Sequence, residues 1–191
     1  MSTSAPRTTV VALAGNPRAG SRTLRAAQHV AERIAAQVDG DVVATIDLAA
    51  LAPEVLADEH PAVDEARARL AGADVAVIAT PVYKASYTGL LKAFLDLYGP
   101  HGLAGVVVVP LVVSGDPAHA LVGEVHLRPV LVELGAVVPT RSVTVTEAGL
   151  ADLDGLVDAW WHRASTPLLR SLGRPDADLA TSARDLVASA R

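Results

Sequence analysis

Continuous apolar runs alternate along this chain with stretches whose apolar residues recur every three or four positions. "TTVVALAG" (8–15) is an unbroken apolar run closed by glycine, the pattern of a strand buried on both faces. Beyond "NPRAGS", Leu24, Ala27, Ala31, Ile34, Ala35 and Val38 keep helical spacing, and Gly40 reads as the close of that helix. "DVVATIDL" (41–48) gives a second strand, and a polar connection through Pro53 and His60 leads to a helix over 62–71. "DVAVIAT" (74–80) is a third strand. Leu90, Leu91, Phe94, Leu95 and Tyr98 then fall on one face of a helix over 87–98. "GVVVVPLVV" (105–113) is the fourth strand, "SGDPAH" a turn, and 118–134 a helix that Pro129 should kink or bulge. "AVVPTRSVTVT" (136–146) predicts a fifth strand, and Leu153, Leu156, Val157, Trp160, Trp161 and Ala164 mark a last helix. From Gly173 onward the residues are small and polar.

Five strand–helix alternations without repeat or linker predict one doubly wound α/β domain over 1–175, with a mobile tail at 176–191. Five strands favour a flavodoxin-like three-layer sandwich, a parallel sheet of order 2-1-3-4-5 with helices on both faces. Its topological switch lies between strands one and three, and ligands of such sheets bind outside the strand carboxyl ends. Three loops then face one crevice: 16–23, 81–86 and 114–119.

Composition narrows the chemistry. The chain has 191 residues, 51% of them apolar, but one Phe, two Trp and three Tyr, so Ala, Val and Leu build its core. A net charge of −5 gives no footprint for nucleic acid or an anionic membrane. The absence of cysteine excludes thiolate catalysis and cysteine-ligated metal, so a redox role requires a bound organic cofactor. The first nine residues hold no signal-length apolar stretch, and 106–113 is too short to span a bilayer. A soluble, cytoplasmic protein is expected.

The first loop, "GNPRAGSRT", combines the amino end of a helix with Ser21 as its cap, the hydroxyl of Thr23, and the cations Arg18 and Arg22. That set suits a phosphate. A Walker A loop would need Lys where Ser21 stands, and Pro17 breaks the dinucleotide G-x-G-x-x-G pattern. Asp47 reads as a solvated strand-end acid. The ends of strands one and three, 14–16 and 79–81, lack the acidic cluster of a phosphoacceptor site.

In the second loop, Pro81 pins an extended turn, and Val82 and Tyr83 offer apolar surface with backbone groups, a wall for a flat heteroaromatic ring. Lys84 adds a cation for a negative charge or an interface acid. In the third, Asp116-Pro117 starts a helix beside Ser114, Gly115 and His119. His60, His101 and His162 read as surface residues. His119 and His126 share a helical face without an acid to complete a metal site, so no metal is proposed.

Taken together, "GNPRAGSRT", "ATPVYKASYTGLLKAFLDL", "SGDPAH" and "LRPVL" resemble the NADPH-dependent FMN reductases of the flavodoxin-like superfamily, notably those that feed reduced flavin to alkanesulfonate monooxygenases. The likeness spans about 10–134. It implies that Arg18, Ser21, Arg22 and Thr23 hold the FMN phosphate, with Asn16 standing where the family usually has Ser. It implies that Pro81, Val82, Tyr83 and Lys84 border the isoalloxazine, and that Ser114, Gly115, Asp116 and His119 form the loop on its other side, where the family often begins Gly-Gly. It further implies hydride transfer from NADPH or NADH with no catalytic protein nucleophile or acid, and a homodimer or homotetramer with flavin near the subunit boundary. His126 is placed where relatives carry a π-bulge residue in the fourth helix. The alternatives are a flavodoxin-like electron carrier, a quinone or azo reductase with retained FMN, and a flavin-free interaction domain.

Overall fold

The computed structural model describes residues 7–173; the expected tail at 176–191 lies outside them. Five parallel strands, β1 (Thr8–Ala14), β2 (Gly40–Asp47), β3 (Val75–Pro81), β4 (Val107–Ser114) and β5 (Val143–Thr146), form one sheet of order β2-β1-β3-β4-β5. The expected topology is therefore the observed one.

Alternation along the central strands builds two cores. Val10, Ala12, Val77, Val109 and Leu111 meet α1 (Arg22–Gln37) and α6 (Leu153–Ser171) on one face. Val11, Leu13, Ile78 and Val108 meet α3 (Pro61–Ala71), α4 (Gly89–Asp96) and α5 (Arg128–Glu133) on the other. A four-residue helix, α2 (Leu48–Leu51), follows β2. In α1, Ala26, Ala27, Ala31 and Ala35 are buried, and these small side chains let the helix lie close on the sheet. No helix among the described residues is long and apolar enough to cross a membrane.

Gly40 does not close α1. The helix ends at Gln37, Asp39 turns the chain at φ 45°, and Gly40 opens β2. A Cβ at Gly40 would lie 2.4 Å from the Thr8 carbonyl oxygen, so close approach of β2 to β1 requires the glycine.

The fifth strand is shorter than expected, covering Val143–Thr146 instead of 136–146. Val137 makes one bridge to Val107, with Val108 donating to its carbonyl (2.8 Å). Two residues on, Pro110 has no N–H to offer on that same side, and Pro139 has none to return. The intervening segment leaves the sheet, and the Val138 and Thr140 carbonyls accept from Arg128 instead.

The helix expected over 118–134 is three pieces: a 3₁₀ turn (Pro117–His119), a π-helix (Gly123–Leu127) and α5. The expected distortion at Pro129 takes the form of that π-helix, whose Arg128 N–H reaches back to the Gly123 carbonyl. The helix expected over 87–98 begins later, at Gly89, because Thr88 is its cap.

Candidate active site

The carboxyl ends of the strands are tied into one rim. Gly15 N–H donates to Ala79 O (2.7 Å), Val82 N–H to Val113 O (2.9 Å) and Glu147 N–H to Ser114 O (2.8 Å). Thr88, 2% exposed, is the hub beneath it. Its hydroxyl donates to the Gly15 carbonyl and accepts from Leu91 N–H (3.2 Å), and its own N–H donates to Thr80 Oγ1 (3.2 Å). The segments after β1, β3 and β4 therefore meet, as the topology predicts.

In the first loop, Ser21 accepts from Leu24 N–H (3.1 Å), leaving its own hydroxyl proton free to donate. Arg18 and Arg22 are exposed beside it, and the Arg22 and Thr23 amides head the helix without carbonyls one turn earlier. Two other residues expected at the phosphate face inward. Asn16 (7% exposed) donates to Thr23 Oγ1 (3.1 Å) and accepts from Arg18 N–H (3.0 Å). Thr23 is 2% exposed. Both shape the loop from within, because a buried amide must spend its polar atoms on neighbours. Asp47 is not a free strand-end acid: its carboxylate accepts from Gly20 N–H (3.0 Å) and Ala49 N–H (3.2 Å). It fixes the loop at Gly20, whose φ is +60°.

In the second loop, Pro81 is the last residue of β3 and pairs with Val113 instead of forming a turn. Its nitrogen faces the side that β1 has already left after the Gly15–Ala79 bond, so no ladder donor is lost. The turn follows. Tyr83 and Ser86 exchange both backbone hydrogen bonds (2.9 and 3.2 Å), with Lys84 and Ala85 between them at φ 52° and 61°. Left-handed conformation at both central residues is the type I′ pattern, which favours Asn-Gly. Val82, Tyr83 and Ser86 N–H groups are consumed, leaving Lys84 and Ala85 as the turn's available donors, with the Tyr83 ring 43% exposed beside them. Substituting Asn-Gly for Lys84-Ala85 relieves left-handed strain, partly offset by glycine's chain entropy. The expected gain is about 1 kcal/mol, or roughly 2–4 °C in Tm, checked by thermal unfolding.

In the third loop, Ser114 is 1% exposed and its hydroxyl donates to the Asp116 carbonyl (3.0 Å), so its side chain does not reach the crevice. Asp116 accepts from Ala118 N–H (2.8 Å) and caps only a 3₁₀ turn. Gly115 is exposed, and a Cβ built on it would meet nothing within 4 Å. His119 is half-buried. The π-helix reaches the same neighbourhood: His126 Nδ1 lies 3.0 Å from Ser86 Oγ, at the end of the type I′ turn.

The π-helix is anchored from behind. Glu124 accepts from Arg128 Nε (2.8 Å) and Ser142 N–H (2.7 Å). Burial pushes the Glu124 carboxyl up, but the hydrogen bonds from Arg128 and Ser142 outweigh it and hold the group below the usual range. A carboxylate lowered by folding stabilises the protein above its unfolded-state pKa, and that contribution is lost as pH falls through the lowered value. Glu124→Gln should therefore lower Tm at pH 7, with the deficit shrinking as the melts are taken toward pH 3.

The family model described as NADPH-dependent FMN reductase matches residues 8–149. The chain belongs to that family. FMN reductase (NADPH) of Escherichia coli (strain K12) is 39% identical over 130 residues, 66% of this chain and 67% of that protein. NADH-dependent FMN reductase SfnF of Pseudomonas fluorescens (strain Pf0-1) is 34% identical over 147 residues, 75% and 79% of the two chains. Among solved structures, the apo form of the NADH:FMN oxidoreductase EmoB aligns with TM-score 0.66 at 31% identity, covering 83% of this chain and 91% of that one. An oxidoreductase from Corynebacterium diphtheriae aligns with TM-score 0.74 at 28% identity, covering 87% and 97%.

The rim of this FMN reductase family member fits FMN on its own geometry. Gly115 has neither a positive φ nor a crowded Cβ to explain it, so the third loop presents open backbone surface at the rim, with room for a planar group. The capped start of α1 with two exposed guanidinium groups supplies donors for a phosphate. A groove of about 670 Å³ lies elsewhere, along the outer edge of β5, lined among others by Leu121, Arg141, Trp160 and Arg163. It contains none of the residues expected at the flavin. Among the described residues no group of three His, Asp or Glu is placed to hold a metal. Sequence reading passed over Thr88 and Glu147, and took Asp47 for a solvated acid when it holds the first loop at Gly20. Only Thr88 left a local signal, a threonine opening an apolar helix.

Proposed function

We infer that the protein is an NAD(P)H:FMN oxidoreductase, in keeping with its family and with relatives named FMN reductase. The observation that carries the reading at the level of this chain is the single rim, where a capped helix start, a strained apolar turn and an open glycine converge. FMN, when bound, supplies the ring that accepts a hydride from the reduced nicotinamide. Arg18, Ser21 and Arg22, with the first amides of α1, bind its phosphate. Asn16, Thr23 and Asp47 hold those donors in place from behind. Val82, Tyr83 and the Lys84–Ala85 amides flank the ring on one side, and Gly115 with the Asp116–His119 turn on the other. The protein thus binds and orients, and the rate gain it contributes is one of alignment and charge placement.

Oxidation of NADPH and NADH, titrated with FMN, FAD and riboflavin, tests this. Turnover dependent on FMN is expected, and none above the uncatalysed rate would favour an electron carrier. Arg18→Ala should weaken FMN binding roughly tenfold while leaving riboflavin unchanged. An unchanged FMN requirement would remove Arg18 from the site.

Two further expectations follow the same reading. Reduced FMN passes to a partner monooxygenase, and a second copy of the chain covers the π-helix side, where Leu121, Val125 and Val132 are 55%, 61% and 54% exposed. Sedimentation showing only monomers would contradict the second.

A further inference from the structure

One ion pair crosses the mouth of the crevice. Arg22, the first residue of α1, places its guanidinium 2.9 Å from the carboxylate of Glu147, just past β5. Glu147 is anchored through its backbone, whose N–H donates to the Ser114 carbonyl (2.8 Å) at the start of the third loop. The pair therefore joins the helix start read as the phosphate site to the loop read as the far wall of the ring. Both side chains are about half exposed, at 54% and 52%, and each has only the other as a charged partner among the described residues. Arg25, one turn further on, is already spent on the Gly20 carbonyl (3.0 Å), so it is not an equivalent reserve cation.

We propose that Glu147 is a specificity-determining residue that competes with the flavin phosphate for Arg22, weakening the hold on FMN relative to a flavin that lacks the phosphate. The inference rests on the reading of Arg22 as a phosphate ligand. A carboxylate and a phosphate can each offer two anionic oxygens to a guanidinium, so one cation serves either in turn. Because both side chains stand in water, the exchange requires no desolvation of a buried charge and no backbone movement. When the phosphate arrives, Arg22 leaves Glu147; when it departs, Glu147 recaptures the guanidinium and the flavin is released. The competition acts on the phosphate alone, so it lowers affinity for FMN and leaves riboflavin untouched.

The test is equilibrium titration of FMN and of riboflavin, followed by flavin fluorescence, against the wild type, Glu147→Gln, Arg22→Gln and the double variant. An exposed pair of this kind predicts FMN binding roughly 1.5- to 5-fold tighter in Glu147→Gln, with riboflavin unchanged. The gain should vanish when Arg22→Gln and the double variant are compared. If Arg22→Gln weakens FMN but Glu147→Gln does nothing, the phosphate site stands and the competition is overturned. If Arg22→Gln leaves FMN unchanged, the reading of Arg22 fails and takes the inference with it. A Glu147→Gln effect equal for FMN and riboflavin, or one persisting without Arg22, assigns Glu147 to loop shape or general repulsion and also overturns the proposal.

Discussion

Gly115→Val is expected to weaken FMN binding by roughly ten- to hundredfold while the protein melts within a degree or two of the wild type. A Cβ at this position meets nothing within 4 Å, and the residue has no left-handed φ, so the fold itself does not need a glycine. The position lies just after β4, between Ser114 in the sheet and the turn capped by Asp116. If the open surface is where the ring lies, branched carbons there overpack it by about 1–3 kcal/mol, a range that contains the roughly 1.4–2.7 kcal/mol of a ten- to hundredfold loss. Fluorescence titration alongside a thermal melt separates the two effects. A variant that binds FMN normally would show that the ring does not approach Gly115.

The second large effect is expected at Thr88→Val. The substitution keeps the shape but deletes a hydroxyl that caps α4 at Leu91 and satisfies the Gly15 carbonyl at the foot of the first loop. Loss of a cap costs about 1 kcal/mol, and a buried carbonyl left unpaired costs about 1–3 kcal/mol more. At roughly 2–4 °C per kcal/mol for a domain of this size, Tm should fall by about 5–15 °C. Thr88→Ser retains the hydroxyl and should recover most of it, losing only a buried methyl worth about 0.8 kcal/mol. Because Thr88 ties the first loop to the start of α4 behind the second, FMN affinity should fall with stability in the valine variant and return in the serine one. Equal melts for the valine and serine variants would remove the hydroxyl from the account.

The sheet order and both cores were legible in the sequence because burial leaves a periodic trace. Val10, Ala12 and Val77 face one helical layer and Val11, Leu13 and Ile78 the other, so strands covered on both faces read as unbroken apolar runs. The length of β5 was not legible. Its limit comes from Pro110 on the neighbouring strand, a missing donor that acts across the sheet, together with Pro139 in the segment itself. Likewise the loops at the rim were found from topology, but the direction of their side chains was not. Asn16, Thr23 and Ser114 are polar residues that read as ligand contacts, yet their hydrogen bonds are spent inside the loops. The residues that assemble the rim, Thr88 and Glu147, act over separations of 73 and 125 positions in the chain, which no local pattern encodes. The type I′ turn at Lys84 and Ala85 escaped for the opposite reason. Its local preference would be Asn-Gly, so a sequence that violates the rule conceals the turn.

The most direct measurement is a crystal structure of the protein with FMN. The phosphate is expected at the amino end of α1, within hydrogen-bond distance of Ser21 and the guanidinium groups of Arg18 and Arg22, and the ring between the Val82–Ala85 turn and Gly115. A flavin bound in the groove along β5, or a phosphate turned away from α1, would contradict this placement.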